Sequence, residues 1–445
     1  MHPAATDSHR LSTGTCSRRG FLATVIAAQV APMFIPARLL GAEAPSKILR
    51  IGCIGTGRMG TTNMLSTVGL GVRHVSRVVA VCDADKNRSA NARILTEERS
   101  RELHGESAAE VRIHHDHREM LAREDIDGVI ICTPDFSHAS IALDAVRAGK
   151  GVYLEKPLAY TIAEGQALVK AVRKHGVILQ SGSQQRSSSH FHRVCWLVRN
   201  GRIGTLREIE VTNPADNGSA DATPMPVPPN LDYLRWMGPT TDEPYTEQRV
   251  HPQSDLGRPG WMQIAKYCHG MITNWGAHTY DIAQWALGSD QDSGPVEVHA
   301  QGEFPERGLW DVHTGYHAEA RYANGVVLRS RTGDDGTIRF TGSDGWLFVK
   351  RGKFEASNPE ILRERPEGGI ELATSNNHIG NFLDCLRGGK EPIAPVEVGH
   401  RSNTVCLLHH ISMKLGRAVR WDPAHEQIIG DAQATAMLSV LPSPK

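Results

Sequence analysis

An apolar strand followed by a glycine-rich turn and a helix is the sequence feature that most constrains the fold. The strand spans Ile48 to Ile54, and the turn after it has the spacing G-x-G-x-x-G. In this setting the glycines permit a tight turn and let the pyrophosphate of a dinucleotide approach the N-terminus of the helix. The pattern therefore predicts a dinucleotide site at the turn. Its expected cofactor contacts are Gly55, Gly57, Arg58, Met59 and Gly60.

An acidic residue at the end of the second predicted strand indicates which dinucleotide is bound. The strand runs from Val78 to Cys82 and ends at Asp83, roughly 20 residues beyond the turn, where a carboxylate accepts hydrogen bonds from the adenosine ribose. A carboxylate there also disfavours a 2′-phosphate. We therefore expect NAD, while Lys86 and Arg88 nearby leave NADP open.

Strands and helices continue to alternate as far as Gln180. Short crossovers of this kind build a parallel, doubly wound sheet, so the first part of the chain is predicted to be an α/β domain. One helix should begin with a capping box at Thr161 and end near Gly176. The further predicted strands are residues 111–114, 128–132, 152–154 and 177–180.

Two strand ends in this region carry candidate site residues. Thr133 and Pro134 end one strand, and His138 follows at the start of a helix, so all three are expected near a bound nicotinamide; His138 could equally be an ordinary helix-start residue. The next strand ends in Glu155 and Lys156 before Pro157. Ligands of open α/β sheets bind beyond the carboxyl ends of the strands, and Lys156 is therefore expected to enter a cleft. A surface Glu/Lys pair is the alternative that this short motif leaves open.

After Gln180 the pattern changes, which indicates a second domain. Residues 214–259 are rich in proline and have little periodicity, as in functional loops. Tyr233 and Trp236 could stack there on a sugar ring or simply pack against the body. Runs joined by Asn324-Gly325 and by Asp344-Gly345 predict antiparallel hairpins.

A helix over residues 274–288 is predicted to carry three polar side chains on one face. At about 100° per residue, Asn274, His278 and Asp281 fall within roughly 60° of each other. Three hydrogen-bonding groups on an otherwise apolar helix suit a buried polar site, although a solvated polar stripe is the alternative.

Composition excludes several other classes of protein. The chain has 445 residues, enough for two domains, and its formal net charge is zero, which gives no electrostatic reason for binding nucleic acid or an anionic membrane. Its eight cysteines include no C-x-x-C pair, so no disulfide scaffold is expected. The histidines at positions 114, 115 and 117 lack the companions of a known metal motif, and we predict no metal.

The N-terminus has the features of an export signal. Arg18 and Arg19 precede a mildly apolar run from Phe21 to Ile35, which is too short and too polar to span a bilayer. Twin arginines before such a run predict a Tat leader over residues 1–44, and hence a periplasmic or otherwise exported protein that contacts the Tat machinery without stable membrane insertion. A disordered basic tail is the alternative.

Taken in order, the glycine turn, Glu155-Lys156-Pro157 and the helix Trp275-Gly276-Ala277-His278 to Asp281 resemble the Gfo/Idh/MocA family of sugar and polyol oxidoreductases. The resemblance implies a Rossmann domain (46–182) and a C-terminal α/β domain with an open, mainly antiparallel sheet (183–425), followed by a tail (426–445). It also implies a homodimer or homotetramer.

The resemblance further implies roles for the site residues. Lys156 is expected to contact nicotinamide and substrate, and His278 to be the general acid/base. Many relatives place a catalytic Asp where this chain has Asn274, so either His278 works unaided or Asp281 compensates. Gln185 and Arg186 are expected to help bind a sugar or polyol.

Two other functional classes remain open at this stage. NAD-dependent glycosidases related to the family oxidise, eliminate and re-reduce with no net redox change, and some of them lack the lysine that this chain keeps at position 156. A noncatalytic sugar-binding relative is the third hypothesis, and Asn274 is its motivation.

Overall fold

The structure, a computed structural model, describes residues 48–105, 110–240, 243–333, 335–364 and 368–439. The predicted leader, with Arg18 and Arg19, lies outside the described residues. No helix in the described segments has both the length and the apolar character needed to cross a membrane.

The first domain is built on a six-stranded, fully parallel sheet. Its strand order is β3-β2-β1-β4-β5-β6, so the order reverses between β1 and β4. The predicted doubly wound sheet is therefore confirmed, with strand ends that moved by two residues or fewer. The strands are β1 (Leu49–Ile54), β2 (Ser76–Cys82), β3 (Arg112–His114), β4 (Gly128–Ile131), β5 (Gly151–Leu154) and β6 (Leu179–Ser181).

Helices connect these strands, and local side-chain chemistry determines where several of them begin. Asp85 caps the second helix by accepting from the backbone N–H groups of Asn87 and Arg88. The predicted capping box at Thr161 is present, and Gly176 ends that helix in the left-handed conformation. The helices are α1 (Arg58–His74), α2 (Lys86–His104), α3 (His117–Leu121), α4 (Asp135–Arg147) and α5 (Ile162–His175).

The second domain contains a nine-stranded, mainly antiparallel sheet. Among the described residues only the β10–β7 pair is parallel, and the order is β13-β12-β11-β7-β10-β9-β8-β14-β15. Both predicted hairpins form, β9 with β10 and β11 with β12. The strands are β7 (Leu206–Asn213), β8 (Glu297–Glu303), β9 (Gly315–Arg321), β10 (Val327–Thr332), β11 (Thr337–Gly342), β12 (Trp346–Lys350), β13 (Lys353–Ala356), β14 (Val419–Asp422) and β15 (Gln427–Ile428).

One face of this sheet is covered by helices, which bury apolar side chains from alternate strand positions. The other face is exposed. The remaining helices are α6 (Ser189–Arg199), α7 (Tyr233–Met237), α8 (Met271–Asn274), α9 (Gly276–Leu287), α10 (His378–Gly388), α11 (Val396–Leu415) and α12 (Ala432–Ala436), with 3₁₀ turns at Gln184–Ser187, Gly260–Gln263 and Pro359–Arg363.

Helix α10 belongs to the C-terminal part of the chain but packs against the first domain, whose end the sequence placed at residue 182. Phe382, Leu383 and Leu386 pack in one cluster with Ile51 of β1 and Tyr153 of β5. Gly128 and Gly151 make room for this contact, because a Cβ at Gly151 would lie 2.4 Å from the side chain of Leu386. Part of the C-terminal half thus completes the core of the first domain and joins the two domains.

Candidate active site

A large cleft runs between the two domains along the carboxyl ends of the parallel strands. It encloses about 1300 Å³. One wall consists of the glycine turn and the ends of β2, β4 and β5, while the opposite wall includes residues of the second domain. Those opposite residues include Asn274, Trp275, His278 and Arg351.

The backbone of the glycine turn is too tightly folded to accept side chains at Gly55 and Gly60. A Cβ at Gly60 would lie 1.8 Å from the carbonyl oxygen of Gly55, and Gly55 itself has a φ of 81°. Helix α1 begins here with no side-chain cap and no acidic residue in its first turn. Its first N–H groups are therefore available to an anion, and Gly57, Arg58 and Met59 line the cleft beside them. The turn thus fits a dinucleotide pyrophosphate.

Asp83 also lies in the cleft, but its carboxylate is partly engaged. One oxygen accepts from the amide and hydroxyl of Thr56 at 2.7 and 3.0 Å, and the other accepts from the amide of Asp85 at 2.9 Å. These bonds hold the carboxylate at the end of β2 and leave lone pairs for a ribose. The guanidinium of Arg88 lies alongside, 2.8 Å from where a Cβ on Gly57 would be.

Lys156 lies at the end of β5 with its side chain partly exposed to the cleft. Its neighbour Glu155 is fixed by Asn63 and Gln184, whose amides donate to it at 2.9 and 2.7 Å. Burial lowers the pKa of Lys156, as do the positive charges of Arg351 and Arg58, while Glu155 and Asp135 act in the opposite direction. Lys156 is therefore held in a poorly solvated place, where its ammonium group can interact strongly with a developing negative charge.

His278 faces the same part of the cleft from helix α9. Its side chain is 5% exposed, and its Nδ1 has no hydrogen-bond partner among the described residues. Burial, followed by the charges of Lys156 and Arg351, lowers the pKa of His278 well below its usual value. Trp275 packs edge-on against the imidazole, with ring centroids 6.2 Å apart. His278 is therefore neutral and able to accept a proton.

The structure corrects the expectation that Asp281 and Arg186 contact the substrate. Neither lines the cleft. Asp281 is fully buried and accepts two hydrogen bonds from the guanidinium of Arg186, both at 2.8 Å, and a third from Ser402. Burial disfavours charge on Arg186, but Asp281 and Asp290 outweigh it and raise the pKa of the guanidinium. The two residues form a buried ion pair behind the cleft wall that includes His278.

The predicted single helix over residues 274–288 is interrupted, which explains part of that error. Helix α8 ends at Asn274 and helix α9 begins at Gly276. Asn274 and His278 face the cleft, whereas Asp281, on the next turn, points toward Arg186 and Ser402. Position on a helix face alone did not distinguish the cleft from the interior.

Gln185 has the environment expected of a ligand-binding residue. It lines the cleft and is 4% exposed, yet neither atom of its amide group has a hydrogen-bond partner among the described residues. A buried, unpaired amide is costly unless a ligand or water satisfies it. Gln185 is therefore available to a bound molecule.

The loop residues between β4 and α4 line the cleft together. Thr133 and Pro134 do so as expected, and His138 lies behind them with its two ring nitrogens 2.8 and 2.7 Å from the carbonyl oxygens of Thr133 and Pro157. Because burial lowers the pKa of His138 to about 4, the ring is neutral and can donate to only one of these oxygens. His138 links two loops of the site from a buried position.

Tyr233 and Trp236 lie together in an aromatic cluster of the proline-rich segment. Their segment is anchored to the end of β2, where the amide of Asp232 donates to the carbonyl of Ala84. Trp236 reaches the cleft wall, but Tyr233 does not, and both pack in an aromatic cluster with Phe136. Of the two alternatives, stacking on a sugar ring and packing against the body, Tyr233 shows the second.

Two charged residues of the site were missed by sequence reasoning. Asp135 directly follows Pro134, and burial raises the pKa of its carboxyl to about 7 although Lys156 acts to lower it. Its position directly after the strand-end residues Thr133 and Pro134 was a sequence signal for Asp135. Arg351 lies on the turn between β12 and β13, and no motif marked it. No group of His, Cys, Asp or Glu in the described residues is arranged to hold a metal ion.

Comparisons with known proteins agree with this architecture. Residues 49–183 match the family described as "Oxidoreductase family, NAD-binding Rossmann fold", and residues 215–442 match "Oxidoreductase family, C-terminal alpha/beta domain". The chain is 30% identical to inositol 2-dehydrogenase of Rhizobium meliloti over 74% of this chain and 80% of that protein.

Other similarities are more partial or more distant. The chain is 31% identical to the uncharacterized oxidoreductase YrbE of Bacillus subtilis, over 43% of this chain and only 42% of that protein. The solved WlbA dehydrogenase of Bordetella pertussis, in complex with NADH and UDP-GlcNAcA, superposes with a TM-score of 0.62 at 19% identity, covering 84% of this chain and 99% of the other. That likeness establishes a shared fold.

Proposed function

Because this chain belongs to the Gfo/Idh/MocA family of NAD-binding oxidoreductases, we propose that it is an NAD-dependent dehydrogenase acting on a hydroxyl-bearing carbon of a sugar or polyol. One observation carries the proposal. The unpaired imidazole of His278, the unpaired amide of Gln185 and the ammonium group of Lys156 all face one cleft, which also contains a turn suited to a dinucleotide.

The side chains divide the chemistry among themselves. The glycine turn and Asp83 would hold NAD, which would supply the group that accepts the hydride of the carbinol carbon or returns it in the reverse direction. His278 takes the hydroxyl proton, as its neutral state allows. Lys156 donates to the same oxygen and stabilises the negative charge that develops there. Gln185 and Asn274 orient neighbouring hydroxyl groups.

The residue at position 274 affects how well the protonated form of His278 is stabilised. An amide cannot supply the negative charge that stabilises an imidazolium, and Asp281 is committed to Arg186. His278 therefore acts as a base whose protonated form is not stabilised by any carboxylate of its own helix. Of the two possibilities that the resemblance left open, this geometry favours an unaided His278 over compensation by Asp281.

A panel of sugars and polyols tests the proposal. Each compound is incubated with the protein and NAD or NADP while reduced cofactor is followed by its absorbance. We expect NADH to accumulate with at least one polyol or sugar, and NADP to be used less well because of Asp83. A protein that binds neither nucleotide by calorimetry would refute the proposal.

We also propose that the protein is exported by the Tat pathway. Arg18 and Arg19 before a weakly apolar run support this. Replacing both with Lys should retain precursor in the cytoplasm and deplete the exported pool. Unchanged export of that variant would contradict the proposal.

A homodimer or homotetramer is proposed for the assembled protein. The exposed face of the nine-stranded sheet supports this, because it bears neighbouring charges of opposite sign that a second copy could complement, such as Arg329 beside Glu208 and Glu319. Light scattering should give two or four times the chain mass of 48.7 kDa, less that of any leader removed. A monomeric mass would contradict it.

A further inference from the structure

We infer that the substrate of this enzyme carries an anionic group, a carboxylate or a phosphate, and that Arg351 binds it. The inference rests on the proposed function and specifies the substrate class of that same cleft. Arg351 belongs to the second domain and lies in the cleft opposite Lys156.

Arg351 lies on the turn of the hairpin formed by β12 and β13. Lys350 pairs with Lys353, so Arg351 and Gly352 form a two-residue turn, and Gly352 has a φ of 77°. Both turn residues line the cleft. The edge of the large sheet therefore places one guanidinium at the catalytic end of the site.

Trp275 fixes the guanidinium relative to the base. The Cζ atom of Arg351 lies 4.7 Å from the centroid of the Trp275 ring, and the same ring packs against His278. Trp275 is itself confined, because a Cβ at Gly336 would lie 2.4 Å from its ring. One indole thus separates Arg351 from the catalytic imidazole.

Arg351 forms no ion pair among the described residues. Its guanidinium stacks on Trp275, and Asp335 acts on it electrostatically without pairing with it. Other arginines of this sheet, such as Arg329 and Arg339, lie beside glutamates. An exposed guanidinium stacked on an indole keeps its planar donors free for a carboxylate or phosphate.

The charges around Lys156 and His278 also favour a substrate with an anionic group. Lys156 and Arg351 both oppose protonation of His278. Glu155 is held by Asn63 and Gln184, and Asn274 adds no charge. A substrate anion beside Arg351 would offset this positive field and favour the imidazolium that forms when His278 accepts the hydroxyl proton.

Binding to the NADH-loaded protein tests the inference without requiring turnover. Calorimetry would compare each neutral sugar with its acid and its phosphate, for example glucose, glucuronate, methyl glucuronate and glucose 6-phosphate. We expect the acid or the phosphate to bind at least about 10-fold more tightly than the neutral forms, and the better of the two identifies the anion. Arg351→Gln should remove about 10- to 100-fold of that affinity, as expected for losing a charged hydrogen-bonded pair, while leaving the affinity for NADH unchanged.

Arg339→Gln is the matched control, since Arg339 stacks on Trp346 at 4.4 Å on the same sheet but does not line the cleft. It should bind every ligand as the wild type does. Equal affinity for acids, phosphates and neutral sugars, or loss of NADH affinity in Arg351→Gln, would overturn the inference. Oxidation of neutral polyols with no preference for anions would overturn it and leave the dehydrogenase standing. Arg351-dependent anion binding without NADH formation from any compound would support the anion site and refute the dehydrogenase.

Discussion

Replacing Asp281 with Asn is expected to destabilise the fold while leaving the chemistry largely intact. The substitution keeps the size of the side chain but removes the charge that faces Arg186 at two distances of 2.8 Å. Arg186 would keep Asp290 at 2.9 Å and its stacking on Trp285 at 4.9 Å. The guanidinium, 2% exposed, would then lack its bidentate partner.

The magnitude follows from that burial. Breaking a buried ion pair by removing one partner costs about 3–5 kcal/mol when the remaining charge has no other partner. Because Asp290 still pairs with Arg186, the cost here should lie at the lower end, about 3 kcal/mol. A surface pair costs about 1 kcal/mol or less. Asp125→Asn provides the comparison, since Asp125 likewise accepts hydrogen bonds from guanidinium groups, those of Arg50 and Arg123, but is 43% exposed.

Urea denaturation and steady-state kinetics separate the two possible roles of Asp281. We expect Asp281→Asn to lower the free energy of unfolding by about 3 kcal/mol, and Asp125→Asn to change it by about 1 kcal/mol or less. At a temperature where the variant is folded, its kcat/KM should stay within about 10-fold of wild type, below the loss caused by removing a catalytic acid or base. Unchanged stability with a loss of kcat/KM above about 10²-fold would show that Asp281 works on the substrate and refute this account.

Three other predictions follow from the site and its surroundings. Lys156→Ala and His278→Ala should each lose more than about 10²-fold in kcat/KM while still binding NAD by calorimetry; full activity of either variant would remove it from the mechanism. Gly60→Ala should abolish NAD binding because its Cβ would lie 1.8 Å from the oxygen of Gly55, whereas Gly69→Ala in the same helix, with nothing within 4 Å, should bind normally; equal binding by both would contradict the turn geometry. Acid should destabilise the protein: five buried histidines have pKa values lowered to about 4, so below their unfolded value of 6.5 the unfolded chain binds protons first, and stability should fall as pH drops from 6.5 toward 4; circular dichroism showing constant stability over this range would contradict it. These five are His138, His269, His313, His378 and His409.

The parallel sheet could be predicted because its signals are local. Each strand is a short buried apolar run between turn residues, and the capping box at Thr161 with Gly176 defines a helix from both ends. The same holds for the hairpins at Asn324-Gly325 and Asp344-Gly345, where residue type determines the turn. Lys156 and the glycine turn could be placed in one cleft because the carboxyl ends of parallel strands share an edge.

Contacts between distant parts of the chain could not be predicted in this way. Arg186 and Asp281 are 95 residues apart, and nothing local shows that a carboxylate on a helix will face an arginine instead of a ligand. Helix α10 is amphipathic in its own sequence, but only the folded chain shows that its apolar face packs against β1 and β5 of the other domain. Arg351 was missed for the same reason, since a turn arginine is usually solvated and only the assembled sheet carries it to Trp275.

Stoichiometry of the cofactor is the most direct test of the central claim. Free sugars, polyols and aryl glycosides would be supplied in parallel with NAD, while reduced cofactor and released aryl group are both followed by absorbance, with His278→Ala as the inactive control. The account predicts one NADH for each product molecule from a sugar or polyol, and no aryl release. Aryl release at constant NADH, lost in His278→Ala, would contradict it and identify a redox-neutral glycosidase.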